Sequence, residues 1–428
     1  MAGEDALYLG LAGEGALYLG LGALFSGLSL HKIRKNEVKV QDASLCVLPA
    51  LLLLEAFCYL VLPAGPGLSV FFVACVFYYM ALPVRRMLPA AGKSVLVTGC
   101  DSGLGHALAK HLDKQGLLVF AGVLNRNGPG AEELRRDCSP NLCLIQLDVT
   151  NCEEVAAAYC EVSGRVKDTG LWAIVHNAGV LLYVADGELL PMNVYKKCME
   201  VNFIGVVQVT KMFMPLLRKA KGRLVTISSM AGLNPIPGFA AYAASKAAVT
   251  MFCAVMRQDL FKWGVKVSSI HPGSFKTNIF GSRDLCSIQA QNLLENLKPD
   301  VRDEYGEDYL DTLKDLHQKM LTSSSSDISP VLEDAHHALL AQRPYSTYTP
   351  GRLAYLIPLI FRCSPIWVYD TFAKLIFPGH HTILPRSLRT FHDNYKTDLK
   401  RGRGKGHFRT GASQTQRTSE KTAMFWIS

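Results

Sequence analysis

Between residues 94 and 270, short apolar runs alternate with longer stretches of helical periodicity. SVLVT (94–98), LLVFAGVL (117–124), LCLIQLD (142–148), WAIV (172–175), RLVTIS (223–228) and VKVSSI (265–270) are brief and apolar, with β-branched residues in each. Their apolar character is nearly continuous, the pattern of strands buried on both faces. Strands and helices alternating at this spacing predict an α/β domain built on a doubly wound parallel sheet. STYTP (346–350) supplies a seventh strand. Residues 281–340 read as helical, with the serine run at 323–326 as a loop. Residues 353–378 are apolar but contain Arg362 and Lys374, and Pro358 and Pro365 interrupt them. This composition predicts an amphipathic cap lying on a bilayer surface.

The first 90 residues have a different texture. A tandem decapeptide (GEDALYLGLA, then GEGALYLGLG) opens them, too short to be a solenoid repeat of about 20–50 residues. Residues 6–30 are apolar but carry Glu14. An acid at the centre of a membrane helix costs about 2.5–3.5 kcal/mol, so this is the weakest span. Residues 44–63 and 67–83 are stronger, each near the roughly 20 residues that cross a bilayer, with AGPG as the turn between them. Lys32, Arg34 and Lys35 precede this pair, and Arg85 and Arg86 follow it. A hairpin returns both clusters to one side, which the positive-inside rule makes cytosolic. The expected organisation is a membrane-anchoring region (1–90), the α/β domain (91–352), a cap (353–395) and a basic, disordered tail (396–428).

Composition sharpens this division. The chain of 428 residues is 49% hydrophobic and 19% charged, too apolar for a disordered scaffold. Its net charge of +9 is concentrated at the end: residues 396–428 hold eight basic and two acidic side chains. A nucleic-acid protein would place that excess on a domain carrying a recognition motif. The twelve cysteines form no C-x-x-C pair and no Cys/His spacing suited to a metal, so no metal site is expected.

Three clusters carry chemistry. The first strand runs into Thr98-Gly99-Cys100-Asp101-Ser102-Gly103-Leu104-Gly105, and a helix follows at once. Glycines there let a pyrophosphate approach the backbone, and the helix start offers free N–H groups. Tyr242 and Lys246 are four residues apart in YAASKAAVTMF, hence on one helical face. An adjacent ammonium favours the phenolate, as proton abstraction from an alcohol requires. Ser229, at the end of RLVTISS, is placed to hold the same substrate oxygen, and Asn202, in EVNFIGVVQVTK, to anchor Lys246 through a water.

These residues, with Asp148-Val149, Asn177-Ala178-Gly179 and Pro272-Gly273, resemble the short-chain dehydrogenase/reductase family, over about residues 90–395. FAGVLNRNGPGAEELRRDCSP, DGELLPM and SKAAVTMFCAVMR resemble its hydroxysteroid dehydrogenases in particular. The resemblance implies a Rossmann-type fold and NAD-dependent oxidation of a steroid alcohol. The 17β-hydroxyl of estradiol or testosterone is the expected target, an 11β-hydroxyl or retinol the alternative. Tyr242 would take the hydroxyl proton, Lys246 would lower the phenol pKa and hold the nicotinamide ribose, and Ser229 would orient the substrate oxygen. Asn202 would maintain a proton relay. Gly99, Ser102, Gly103, Leu104, Gly105, Asn125, Asp148, Val149, Asn177, Ala178 and Gly179 would bind the pyrophosphate and adenosine side; Pro272, Gly273 and Thr277 would bracket the nicotinamide. Family membership also implies a homodimer, and the anchor points to the endoplasmic reticulum membrane with the catalytic domain facing the cytosol. A membrane-bound binding protein without turnover is the reading from another class, opposed by the intact four-residue set.

Two departures stand out. His176 replaces the first asparagine of the family's Asn-Asn-Ala-Gly and is expected to be a core residue. The second strand ends in Asn125-Arg126 instead of the acid that often meets ribose hydroxyls in NAD enzymes. An arginine there could hold a 2′-phosphate, which keeps NADP open.

Overall fold

Ser94–Val97 (β1) is buried at all four positions, because helices cover both faces of the sheet to which it belongs. Alternation divides its side chains. Val95 and Val97 join one core with Leu108, Leu112, Ala131, Leu134, Ala335 and Leu339. Leu96 joins the other, with Phe120, Ile174, Val155, Val162, Val209, Phe213 and Leu217.

The computed structural model describes residues 15–28, 47–81, 86–277, 279, 291–293, 295–309, 322, 324–351, 353–376 and 385–389. All seven strands lie where the apolar runs predict them: β1, then Leu118–Val123 (β2), Leu142–Gln146 (β3), Ala173–His176 (β4), Arg223–Ile227 (β5), Lys266–Ile270 (β6) and Thr347–Tyr348 (β7). They pair in parallel in the order β3-β2-β1-β4-β5-β6-β7. Helices Gly103–Lys114, Pro129–Asp137 and Ser329–Leu340 cover one face; Cys152–Arg165, Gly205–Ala220 and Ala240–Asp259 cover the other. After β1 the chain winds towards β3, and after β4 towards β7. The loops leaving β1 and β4 therefore part, opening a crevice at the carboxyl ends of the strands.

A π-helical turn, Glu200–Ile204, interrupts the path from Met192–Met199 into Gly205–Ala220. Such turns concentrate at functional sites, and this one carries Asn202. Within the cap, Pro365 does separate two helices, Leu356–Cys363 and Ile366–Ile376. Pro358 breaks nothing. It occupies the first turn of its helix, where a missing N–H costs no intrahelical bond.

Near the N-terminus, residues 15–28, Val47–Val61 and Ala64–Ala81 are helical. The expected AGPG turn is instead the first turn of the third helix, and the chain reverses at Leu62 and Pro63. Tyr18, Cys58, Phe71 and Cys75 form a small buried cluster among the three helices. Gly67 makes room for it, since a Cβ there would lie 2.4 Å from the Tyr18 hydroxyl. Among the described residues no helix is long and apolar enough to cross a membrane. The outer faces of the second and third helices nevertheless expose Leu53, Leu60, Val73, Phe77 and Met80. The expected disordered tail and much of residues 281–320 lie outside the described residues.

Phe213 is fully buried and meets Tyr159 edge-on at 5.5 Å between ring centroids. Phe213→Ala should lower unfolding free energy by about 3–5 kcal/mol in urea titrations. Met192→Ala, at an exposed position, should stay within about 0.5 kcal/mol of the parent.

Candidate active site

The crevice between β1 and β4 is shaped by what glycine omits. Gly99 and Gly103 have φ of +70° and +59°, a region that strains residues bearing a Cβ. A Cβ on Gly99 would lie 2.8 Å from the Ala178 Cα, and one on Gly105 would lie 2.2 Å from the Gly99 carbonyl oxygen. The glycine-rich turn is thus pressed against the loop after β4. Asn177 braces it by donating from Nδ2 to the Thr98 and Gly99 carbonyls, both at 3.0 Å. Thr98 replies through its hydroxyl oxygen, which accepts the Asn177 and Ala178 N–H groups at 3.0 Å. Ser102 precedes the Gly103–Lys114 helix without capping it through its side chain. The first-turn N–H groups are then available to an anion.

This turn forms one end of a cavity of about 870 Å³. Gly99, Ser102, Gly103, Leu104, Asp148, Val149, Asn177, Ala178 and Gly179 line that end; Ser229, Tyr242, Lys246, Pro272, Gly273 and Thr277 stand further along. Beyond them the wall becomes apolar, with Leu181, Ile236, Phe239, Ile279, Ile357 and Ile376. A cradle that a single Cβ would fill, leading to a polar centre and an apolar far end, fits a dinucleotide beside an apolar substrate.

Tyr242 and Lys246 project from one face of Ala240–Asp259, and the Lys246 Nζ lies 5.7 Å from the Tyr242 ring centroid. Burial pushes the Tyr242 phenol up to about 12, opposed by a hydrogen bond with Ser229. Desolvation outweighs that hydrogen bond. Burial also pushes Lys246 down to about 8, and its ammonium donates to the Ile227 carbonyl at 2.9 Å. Asn202 is locked in place. Its Oδ1 accepts the Val180 N–H at 2.8 Å, and its Nδ2 donates to the Val180 carbonyl at 3.0 Å and the Ser245 hydroxyl at 2.9 Å. A Cβ on Gly179 would lie 3.2 Å from Asn202 Oδ1 and 3.4 Å from Lys246 Nζ, so the two groups meet across that glycine.

The structure thus brings most of the expected residues to one wall. Gly105 and Asn202 sit just behind it. Asn125 is also off the wall, its Oδ1 accepting the Asn127 N–H at 2.9 Å. Asp148 lines the cavity while its Oδ1 accepts the Thr150 N–H and hydroxyl, both at 2.8 Å. Arg126, the residue that kept NADP open, pairs its guanidinium with Glu161 at 2.6 Å. His176 is a core residue as expected, hydrogen-bonded to Thr210 at 2.8 Å. The sequence reading missed Ser245, which links Asn202 to the Tyr242 carbonyl; its position three residues after Tyr242, on the same helical face, was the available signal. It also missed His271, hydrogen-bonded to the Ser229 carbonyl at 3.2 Å and the Ser269 hydroxyl at 2.9 Å.

Comparison with known proteins agrees with this geometry. The short chain dehydrogenase family profile matches residues 93–285. Human 17-beta-hydroxysteroid dehydrogenase type 2 is 50% identical over 341 residues, covering 80% of this chain and 87% of that protein. The chain belongs to the short-chain dehydrogenase family. Another member, the rabbit (Oryctolagus cuniculus) 11-beta-hydroxysteroid dehydrogenase type 2, is 39% identical over 366 residues, covering 86% of this chain and 90% of that one. A Streptomyces avermitilis short-chain dehydrogenase structure superposes with a TM-score of 0.53 at 23% identity, over 68% of this chain and 99% of its own. That likeness speaks for the short-chain dehydrogenase fold alone.

Two buried histidines behind the site set a pH dependence. Burial pushes His176 down to about 3 and His271 down to about 4, from an ordinary 6.5. Both stay neutral in the folded chain and take up a proton on unfolding below about 6.5. Their contribution is complete above that pH and is lost as pH falls from about 6.5 towards 4. Urea titrations at pH 7.5 and pH 5 should differ by about 2 kcal/mol for each histidine. His271→Gln should remove about half of the difference.

Proposed function

We propose that the chain is an NAD-dependent dehydrogenase that oxidises the 17β-hydroxyl of steroids such as estradiol or testosterone to the 17-ketone. The observation that carries this reading is the meeting of Ser229, Tyr242 and Lys246 in one cavity, between a glycine cradle and an apolar end. The half-identical human relative favours the 17β position; the rabbit relative makes an 11β-hydroxyl the second candidate. The ion pair between Arg126 and Glu161 supports NAD over NADP.

On this reading Gly99, Ser102, Gly103 and Leu104 hold the pyrophosphate, Asp148 and Val149 the adenosine side, and Pro272, Gly273 and Thr277 the nicotinamide. When bound, the oxidised dinucleotide supplies a hydride acceptor and a positive charge on its ring. Ser229 orients the substrate hydroxyl, and Tyr242 takes its proton. A phenol raised by burial to about 12 is a weak base at neutral pH, so ionisation depends on cations around it. Lys246, at about 8, remains charged at pH 7 and supplies one of them. Asn202 keeps Lys246 and the loop at Gly179 and Val180 in register for proton exchange with solvent. The apolar far wall excludes water and selects a substrate without charge at that end.

The same reading places the chain on the endoplasmic reticulum membrane with this domain facing the cytosol. The exposed apolar faces of the two N-terminal helices support it, as do exposed Ile366, Trp367 and Leu375 on the cap. Exposed Ile204, Met251 and Val255 on and beside the Ala240–Asp259 helix supply an apolar face suited to a homodimer.

Full-length protein should generate NADH absorbance from NAD⁺ and estradiol, faster than from an 11β-hydroxysteroid or retinol. Tyr242→Phe should remove at least about 10³-fold of kcat while NADH still binds; retained turnover would discard the base assignment. Because the phenolate is the active form, oxidative kcat/KM should rise with pH between 6 and 8, and Lys246→Met should depress it throughout. Alkaline carbonate extraction should leave the full chain in the membrane pellet.

A further inference from the structure

Asn125 and Arg126 follow β2 where a dinucleotide-binding sheet often presents an acid to the ribose hydroxyls. Two carboxylates from elsewhere in the chain converge on this position. Asp101, in the glycine-rich turn, crosses to the end of β2. Its Oδ1 and Oδ2 accept the Leu124 N–H at 2.9 and 3.0 Å, and its Oδ1 meets the Asn125 N–H at 3.4 Å. Gly130 secures that placement: a Cβ there would lie 1.9 Å from the Asp101 carbonyl oxygen, so the first turn of Pro129–Asp137 closes directly on the Asp101 backbone. Asp101 and Leu124 both line the main cavity.

Arg126 turns the other way. Its Nη2 donates to Glu161 Oε2 at 2.6 Å and to the Leu144 carbonyl at 2.7 Å. With Glu161, Leu142 and Leu144 it lines a separate hollow of about 430 Å³. The guanidinium of Arg126 is thereby held on the far side of the β2 end.

We propose that Asp101 and Glu161 together make this site reject a 2′-phosphorylated dinucleotide. The inference rests on the nicotinamide-dinucleotide reading of the cavity. Asp101 acts directly by charge. A 2′-phosphate brings nearly two negative charges towards its carboxylate, whereas a 2′-hydroxyl brings a donor that a carboxylate's spare lone pairs can accept. Glu161 is a positioning residue that works through Arg126, denying the phosphate the bidentate guanidinium it needs.

Nicotinamide fluorescence on the full-length chain, without substrate, tests this by comparing NADH with NADPH. The parent should bind NADH at least about tenfold more tightly than NADPH. Glu161→Gln should narrow that ratio by about tenfold through tighter NADPH binding. Arg126→Ala in the Glu161→Gln background should cancel the gain, which a merely structural role for Glu161 would not produce. Asp101→Asn keeps an acceptor for the Leu124 N–H and should also narrow the ratio. Equal affinities in the parent, or a Glu161→Gln variant that weakens both dinucleotides alike, would overturn the inference while leaving the dinucleotide reading intact. A parent chain that binds neither dinucleotide would remove both.

Discussion

Lys246 is an ammonium with only 3% of its surface exposed, and a buried cation persists only where hydrogen bonds and neighbouring polarity compensate it. Much of the site's architecture follows from that requirement. The Ile227 carbonyl that receives its Nζ is the last residue of β5, so the sheet must end where the helix carrying Lys246 passes. Gly232 allows this approach, since a Cβ there would lie 2.7 Å from the Lys246 carbonyl oxygen. Ser228 and Thr250 donate to that same carbonyl at 3.1 and 2.7 Å. Ser245 donates to the Tyr242 carbonyl at 2.7 Å and receives Asn202. The helix is thus tied at its main chain on both sides of the Tyr242–Lys246 face, and neither side chain can shift without breaking a buried polar contact.

The same burial separates the two members of the pair in pKa. Desolvation raises the phenol and lowers the ammonium, so the protein by itself favours neutral tyrosine and a lysine that loses its proton a little above neutral pH. Spacing along a helix shows that the two groups share a face. It carries no information on which of charge proximity or desolvation prevails, because that depends on the walls built by Ile236 and Phe239 just before the helix and by Ile357 from a distant part of the chain.

This marks the boundary of what the sequence makes legible. Nearly continuous apolar runs locate the first six strands because both sheet faces are buried, which leaves little competing signal. The glycine turn, Ser229, Tyr242 and Lys246 are legible because their spacing is itself the constraint. The AGPG turn and Pro358 mislead for one shared reason: proline is accommodated in a helix's first turn, and the sequence does not mark where that turn begins. Arg126 is illegible for a different reason. Its partner Glu161 lies on the Cys152–Arg165 helix, beyond the next strand, so the direction of its side chain becomes visible only once β3 and that helix are packed. Asp101 was hidden among the glycines for the same reason.

The cap joins the apolar wall of the cavity to an apolar outer surface. Tyr369 is buried, donates to the Pro235 carbonyl at 2.7 Å and accepts from Asn234 at 3.0 Å. Those contacts fasten the Ile366–Ile376 helix to the segment that follows Ser229. Its neighbour Leu356–Cys363 turns Ile357 into the cavity, and Ile376 closes the same wall, while Ile366, Trp367 and Leu375 face outward. One short helical pair is therefore apolar on two sides, roofing the substrate end within and exposing an apolar surface without. An isolated soluble enzyme gains nothing from the outer face, which costs solubility. On the proposed reading both faces have one purpose: a substrate that dissolves in lipid is met by an enzyme whose roof rests there.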